Sequence, residues 1–217
     1  MEILPSLFNS DILNLQSELA FMENQGIKTI HIDMMDGNFV PNISFGPDQL
    51  REIKKNTAMK IDVHMMVQHP EKLIDLLADA GVDMISFHYE ATSHPHEIIR
   101  LIKAQNIKVG VALSPATLPE VLTYLLDDLD YILLMSINPG FWQQEFIPTI
   151  YQKIEQTKAL IGNRDILIEI DGRMNVDRIE KAAEKGADLF VVGSNLFSGD
   201  KEKNIVALQS LAGGEVN

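Results

Sequence analysis

Cysteine is absent from the 217-residue chain, which removes disulfides, thiolate nucleophiles and cysteine-ligated zinc together. A reducing compartment is compatible with that absence. Basic residues are scarce: 18 Lys and Arg stand against 31 Asp and Glu, a formal net charge of −13. Non-specific nucleic-acid binding rests on cationic contacts to phosphate, so no nucleic-acid partner is expected. Apolar runs stay well short of the about 18 residues that span a bilayer, so no membrane partner is expected either. The start Met1-Glu2-Ile3-Leu4-Pro5 lacks the basic region and apolar stretch of a secretory signal. Linkers and low-complexity segments are missing too. What remains is 46% hydrophobic and 23% charged, the composition of an ordinary globule, here expected to be cytoplasmic.

A unit repeats along the chain. Short β-branched runs follow a glycine or a polar turn: Gly26-Ile27-Lys28-Thr29-Ile30-His31-Ile32-Asp33, then Gly81-Val82-Asp83-Met84-Ile85-Ser86-Phe87-His88. It recurs at residues 106–113 and 186–193, and further strand candidates lie at 3–6, 60–67, 131–135 and 166–171. Their near-continuous apolar character suits parallel strands covered on both faces. Between them lie amphipathic helical segments. Leu73, Leu76, Leu77 and Ala80 form one stripe, ending at Gly81, and Val176, Ile179 and Ala183 form another, closed by Gly186. Thr117-Leu118-Pro119-Glu120 has the spacing of a helix-capping box. Eight βα units in this length predict a compact (β/α)8 barrel filling residues 1–217 as one domain. A doubly wound open sheet is the rival, but no Gly-rich dinucleotide fingerprint follows the first strand. The tail from residue 212 is expected to fray.

Barrel chemistry concentrates at the C-terminal strand ends. The second strand ends His31-Ile32-Asp33, the third carries Asp62-Val63-His64, and the seventh ends Glu169-Ile170-Asp171-Gly172. Two-residue spacing on a strand puts both side chains on one face. If His31, Asp33, His64 and Asp171 point inward, they present two imidazoles and two carboxylates to one small volume, a set suited to a divalent transition metal. Taken singly, such an Asp is often a helix cap and such a His a satisfied core residue. Four together are harder to explain that way, because unpaired buried charge is expensive.

These residues carry a resemblance. The stretch from His31 to Asn42, His31-Ile32-Asp33-Met34-Met35-Asp36-Gly37-Asn38-Phe39-Val40-Pro41-Asn42, resembles the strand-2 signature of the ribulose-phosphate 3-epimerase family. Pro5-Ser6, Asp62-Val63-His64-Met65-Met66-Val67, His88-Tyr89-Glu90-Ala91, Met135-Ser136-Ile137-Asn138-Pro139-Gly140-Phe141 and Val192-Gly193-Ser194 match in order over nearly the whole chain. The resemblance implies proton transfer at C3 of a ketose phosphate through an enediolate. Asp33 and Asp171 would act as the acid/base pair. His31, Asp33, His64 and Asp171 would hold one divalent metal ion, Zn2+ first, with Fe2+, Co2+ or Mn2+ as alternatives. It further implies a soft apolar cap from Met35, Met66 and Met135, which core filling would also explain. It implies substrate contacts from Ser6 and His64, support from His88 and Glu90 behind the ligands, and a homo-oligomer. His94 and His96 read as solvated.

The phosphate loops depart from the family. Members usually carry Gly-Gly after the phenylalanine of the strand-6 loop and after the strand-7 aspartate, where glycine lets backbone N–H groups approach phosphate. Here the loops read Gly140-Phe141-Trp142-Gln143 and Asp171-Gly172-Arg173, while Gly193-Ser194 is retained. The reading adopted is an altered pocket, with an Arg173 guanidinium contact in place of the lost glycine and Trp142 narrowing or shielding it. The plainer alternative makes both substitutions incidental to tolerant surface loops. The preferred substrate is ribulose 5-phosphate. A related branch that also lacks the second strand-7 glycine acts on allulose 6-phosphate and is the alternative. Decarboxylase and synthase barrels with an Asp-x-Lys motif are disfavoured, because His31-x-Asp33-x-x-Asp36 has no central lysine. A non-catalytic sugar-phosphate sensor is the reading from another class.

Overall fold

The computed structural model describes residues 1–140 and 144–211. Phe141, Trp142, Gln143 and the tail from residue 212 lie outside the described residues. Eight parallel strands run β1 (Glu2–Pro5), β2 (Thr29–Met35), β3 (Lys60–Met66), β4 (Met84–His88), β5 (Lys108–Leu113), β6 (Tyr131–Met135), β7 (Leu167–Asp171) and β8 (Leu189–Val192). They pair β1-β8-β7-β6-β5-β4-β3-β2. A Ser6–His31 parallel bridge and the Thr29 hydroxyl donating to Glu2 at 2.6 Å draw β2 against β1. The result is the expected (β/α)8 barrel, nearly closed. No described helix is long and apolar enough to cross a membrane.

Helices α1 (Leu15–Asn24), α2 (Pro47–Lys55), α3 (Ile74–Ala80), α4 (Pro95–Ala104), α5 (Ile150–Ile161), α6 (Val176–Glu184), α7 (Ser194–Phe197) and α8 (Lys201–Leu211) follow the strands. Alternate strand residues divide between two cores. Outward residues such as Ile32, Val63, Phe87, Val111, Ile132 and Phe190 pack under Leu50, Leu77, Ile102, Ile154, Ile179 and Ile205 of the helices. Inward residues Leu4, Met84, Tyr131, Leu189 and Val191 fill the lower barrel. Above them the interior turns polar, with His31, Asp62, Ser86 and Glu169 all fully buried.

Two local expectations differ from what forms. In α3 the buried face is Ile74, Leu77 and Ala80, while Leu76 is 45% exposed. The chain enters that helix through a 3-10 turn at Pro70–Lys72, so Leu73 is its N-cap and Ile74 its first buried residue. Gly81 nevertheless ends it in the left-handed region at φ 82°. The box at Thr117 caps no α-helix. Among the described residues, β5 and β6 are joined by 3-10 segments at Pro119–Leu122 and Leu126–Asp128, and the Thr117 hydroxyl is taken by Glu90 instead.

Gly110 on β5 makes room for the ring of Tyr131. A Cβ there would lie 2.5–2.8 Å from three ring atoms, although its φ is outside the left-handed region. Gly110→Ala is therefore a purely steric change, and it should destabilise the barrel by about 1–3 kcal/mol in urea unfolding. The cost should largely vanish in a Tyr131→Leu background, where the ring is gone; an unchanged cost there would remove this account.

Candidate active site

The register of β2 on β3 sets Asp33 beside His64 and His31 beside Asp62. Asp33 Oδ1 lies 3.6 Å from His31 Nε2 and 3.5 Å from His64 Nδ1, and Asp171 Oδ2 lies 3.8 Å from His64 Nδ1. One ligand atom from each of His31, Asp33, His64 and Asp171 falls within 4.8 Å of all the others. His31 Nε2 and His64 Nδ1 are buried with no hydrogen-bond partner. Buried ring nitrogens seldom go unpartnered, so two aimed at two carboxylates fit a cation between them. Two nitrogens and two oxygens suit zinc, iron, cobalt or manganese.

Each side chain is held from behind. His31 Nδ1 lies 2.6 Å from Asp62 Oδ2, and Asp62 Oδ1 accepts the Tyr131 hydroxyl at 2.8 Å. Glu169 Oε1 sits 3.3 Å from the same ring nitrogen. His64 Nε2 meets His88 Nε2 at 2.9 Å, and His88 Nδ1 meets Glu90 Oε2 at 3.0 Å. Ser6 Oγ donates to Asp33 Oδ2 at 2.6 Å. The Ser44 hydroxyl donates to the Asp33 carbonyl and accepts from the Met35 amide at 3.0 Å.

Electrostatics push the two central aspartates apart. Burial would raise the pKa of Asp33, but the close His31 and His64 imidazoles outweigh it and hold the carboxyl well below its usual range. Asp171 is pushed up to about 7, by burial first and then by the Asp33 charge. Burial drives the His64 pKa down to about 4 against the pull of Asp33. It would also strip His31, but Asp33 and Asp62 hold that imidazole well above its ordinary value. Glu169 rises to about 8, through burial and then Asp62.

Above this cluster opens a cavity of about 320 Å3. Met35, Met66 and Met135 line its apolar walls, the first two beside Val40, Phe8 and Phe39, the third across the mouth beside Ala112 and Ile137. Gly140, Gly172, Arg173, Gly193 and Ser194 line it as well, with Asn9, Gln144 and Asn195. A Cβ at Gly193 would meet Asn9 Oδ1 at 2.0 Å, and one at Gly140 would meet the Val40 side chain at 2.3–2.7 Å. Gly172 and Arg173 both have positive φ, 117° and 54°. The Arg173 Nε donates to the Gln144 carbonyl at 2.9 Å, and Arg178, stacked 4.3 Å over Phe146, donates to the Arg173 carbonyl. Phe141, Trp142 and Gln143 belong to the expected site but lie outside the described residues.

A family model, the ribulose-phosphate 3 epimerase family, matches residues 2–197. The chain belongs to that family. Within it, the ribulose-phosphate 3-epimerase of Bacillus subtilis (strain 168) is 40% identical over 210 residues, covering 95% of this chain and 97% of its own. That of Rhodobacter capsulatus is 37% identical over 219 residues, covering 98% and 96%. The family is one of isomerases, and its members are metal-dependent. Among solved structures, a mutant tryptophan synthase alpha-subunit from Pyrococcus furiosus superposes with TM-score 0.71 at 16% identity, covering 98% of each chain. A 3-hexulose-6-phosphate synthase superposes at 0.69 and 16%, covering 97% of this chain and 99% of that one. These distant likenesses show the barrel alone.

Read from the sequence, the four rim residues, Ser6, the three methionines, His88 and Glu90 all come to one place. His94 and His96 are exposed. Asp62, Tyr131, Glu169 and Ser44 went unread as parts of the site. Asp62 and Glu169 share inward parity with His64 and Asp171 by two-residue spacing, which was the available signal. Titrating the protein with Zn2+ or Co2+ should raise its thermal midpoint, the gain in unfolding free energy being about 2.7 kcal/mol at a hundredfold excess over Kd. His64→Ala should abolish most of the rise; an equal rise in that variant would refute the assignment.

Proposed function

We propose that the protein is a metal-dependent ketose-phosphate 3-epimerase interconverting D-ribulose 5-phosphate and D-xylulose 5-phosphate. The observation that carries this is the pair Asp33 and Asp171, brought with His31 and His64 to one metal-suited cluster under a cavity. Inverting a carbon needs a group that removes a proton from one face and a group that returns one to the other. Asp33, low in pKa, is the carboxylate that accepts the C3 proton. Asp171, high in pKa, supplies its own proton to the opposite face of C3, and the roles exchange in the reverse direction. His31, Asp33, His64 and Asp171 would hold the ion, Zn2+ for choice. When bound, it would supply Lewis-acid stabilisation of the negative charge that develops as the proton leaves.

The remaining residues orient and enclose. Ser6 keeps one Asp33 oxygen occupied, leaving the other free to face the substrate. The three methionines supply a polarizable, dry cover over the reacting carbons. Phosphate is bound at the end formed by Gly172, Arg173, Gly193 and Ser194, with Gly140 beside them. A protein of net charge −13 cannot gather an anion by its global field, so Arg173 and backbone amides must do it locally. Association as a homo-oligomer is part of this reading.

Epimerisation in D2O should place deuterium at C3 of the recovered ribulose 5-phosphate. Asp33→Asn and Asp171→Asn should each lower kcat by about 10²- to 10⁴-fold while leaving the circular dichroism spectrum in place. Absence of exchange with both ribulose 5-phosphate and allulose 6-phosphate at saturating metal would sink the epimerase reading. Faster turnover of the hexulose phosphate would move the substrate instead. Arg173→Gly should raise KM for the pentulose phosphate with kcat little changed; an unaltered KM would leave Arg173 no part in phosphate binding.

A further inference from the structure

Glu90 sits at the turn after β4, and three donors converge on it. Its Oε1 accepts the Ser114 amide at 2.9 Å and the Thr117 hydroxyl, and its Oε2 faces His88 Nδ1 at 3.0 Å. Hydrogen bonds from His88 and Thr117 outweigh burial and hold the carboxyl down at about 2, so it is an anion throughout the physiological range. Lys153 of α5 ties the same loop from the other side, its Nζ donating to the Ser114 carbonyl at 2.7 Å. The Phe39 ring packs on the His88 imidazole with centroids 4.8 Å apart. His88 therefore has little freedom to turn.

We propose that Glu90, anchored by Thr117, is a positioning residue that acts through His88 to fix which nitrogen of His64 faces the substrate cluster as a bare lone pair. The logic is one of alternating donors. An anionic Glu90 can only accept, so His88 must carry its proton on Nδ1. In a neutral His88 the Nε2 is then a lone pair, so the contact at 2.9 Å places the proton of His64 on Nε2. That leaves His64 Nδ1 without a proton, and Nδ1 is the nitrogen buried without a partner beside Asp33 and Asp171. The opposite order would set a lone pair of His88 against the Glu90 carboxylate and aim an N–H at the cluster, where a cation cannot use it. Specification of a metal-ready His64 thus begins at a threonine in the loop just after β5. The consequence for metal affinity rests on the metal-dependent reading above; the tautomer does not.

Two measurements test this. Long-range 1H–15N spectra of the imidazoles in the metal-free protein should show His64 as the Nε2–H tautomer. In Glu90→Gln the amide can offer an N–H to His88, and the His64 signal should shift toward the Nδ1–H form. Co2+ affinity, read by competition with a chromophoric chelator, should fall about 10- to 100-fold in that variant. Thr117→Val, at a half-buried and milder position, should shift both readouts in the same direction by less. An Nδ1–H His64 in the parent protein overturns the proposal. So does a tautomer unchanged in both variants with Co2+ affinity within twofold. If the parent binds no metal, the metal-dependent reading fails while the tautomer spectra still decide the relay. Should Glu90→Gln not fold, Thr117→Val carries the test alone.

Discussion

The parallel register of β2 on β3 is the constraint on which the site hangs. It sets Asp33 next to His64 and His31 next to Asp62, so each imidazole is born beside a carboxylate. A slip of one residue in β2 would turn His31 and Asp33 into the helix layer and bring Ile32 inward. That register is protected by the apolar outward residues, which have no other place to be buried. The polar interior could not hold itself: Asp62 and Glu169 are fully buried, and charge in such a place is tolerated only when paired or neutralised. Asp62 is paired, by His31 and the Tyr131 hydroxyl. Glu169 is neutralised, its pKa raised to about 8.

Both histidines of the cluster are handled by one scheme, an acceptor behind the ring that decides which nitrogen faces forward. Asp62 does it directly for His31, beneath the site. Glu90 does it at one remove for His64, from the side. The difference follows from depth. His31 lies in the layer just above the apolar floor, where an inward residue of β3 is close enough to reach it. His64 lies at the rim, where its partner His88 is the last residue of β4 and the next acceptor, Glu90, lies in the turn beyond, so the crossover after β5 is drawn into the network. The Thr117 hydroxyl bonded to Glu90 is no longer free to cap a helix, which fits the 3-10 path taken between β5 and β6.

At the opposite end of the cavity the departures from the family loops have a specific shape. Arg173 keeps a φ of 54°, a conformation in which glycine is at ease and an L-residue is strained by about 1–2 kcal/mol. The backbone path after Asp171 is thus retained while a cation is added to it. In a chain this acidic, a guanidinium placed at the cavity wall changes the local potential more than any surface lysine could.

Strand order, the barrel, its inward and outward alternation and the four rim residues were legible in the chain, because each follows from a period of two along a strand and a repeat of βα units. The apolar runs begin up to two residues before the strands, at Ile27, Val82, Ile107 and Ala187 against Thr29, Met84, Lys108 and Leu189, because the apolar pattern begins in the turn before pairing does. In α3 the helical spacing includes Leu76, but the helix begins at Ile74, which takes the buried place with Leu77 and Ala80. Thr117 was read as a cap, because its spacing to Glu120 is visible and its distance to Glu90, 27 residues away in sequence, is not. The amino-acid sequence by itself determined which side chains face the barrel axis and at what height on their strands. Only the tertiary structure decided which partner each one meets across that axis. Tyr131 beneath Asp62, Glu90 behind His88 and the shifted pKa values of Asp33 and Asp171 depend on distances between segments that no local pattern encodes.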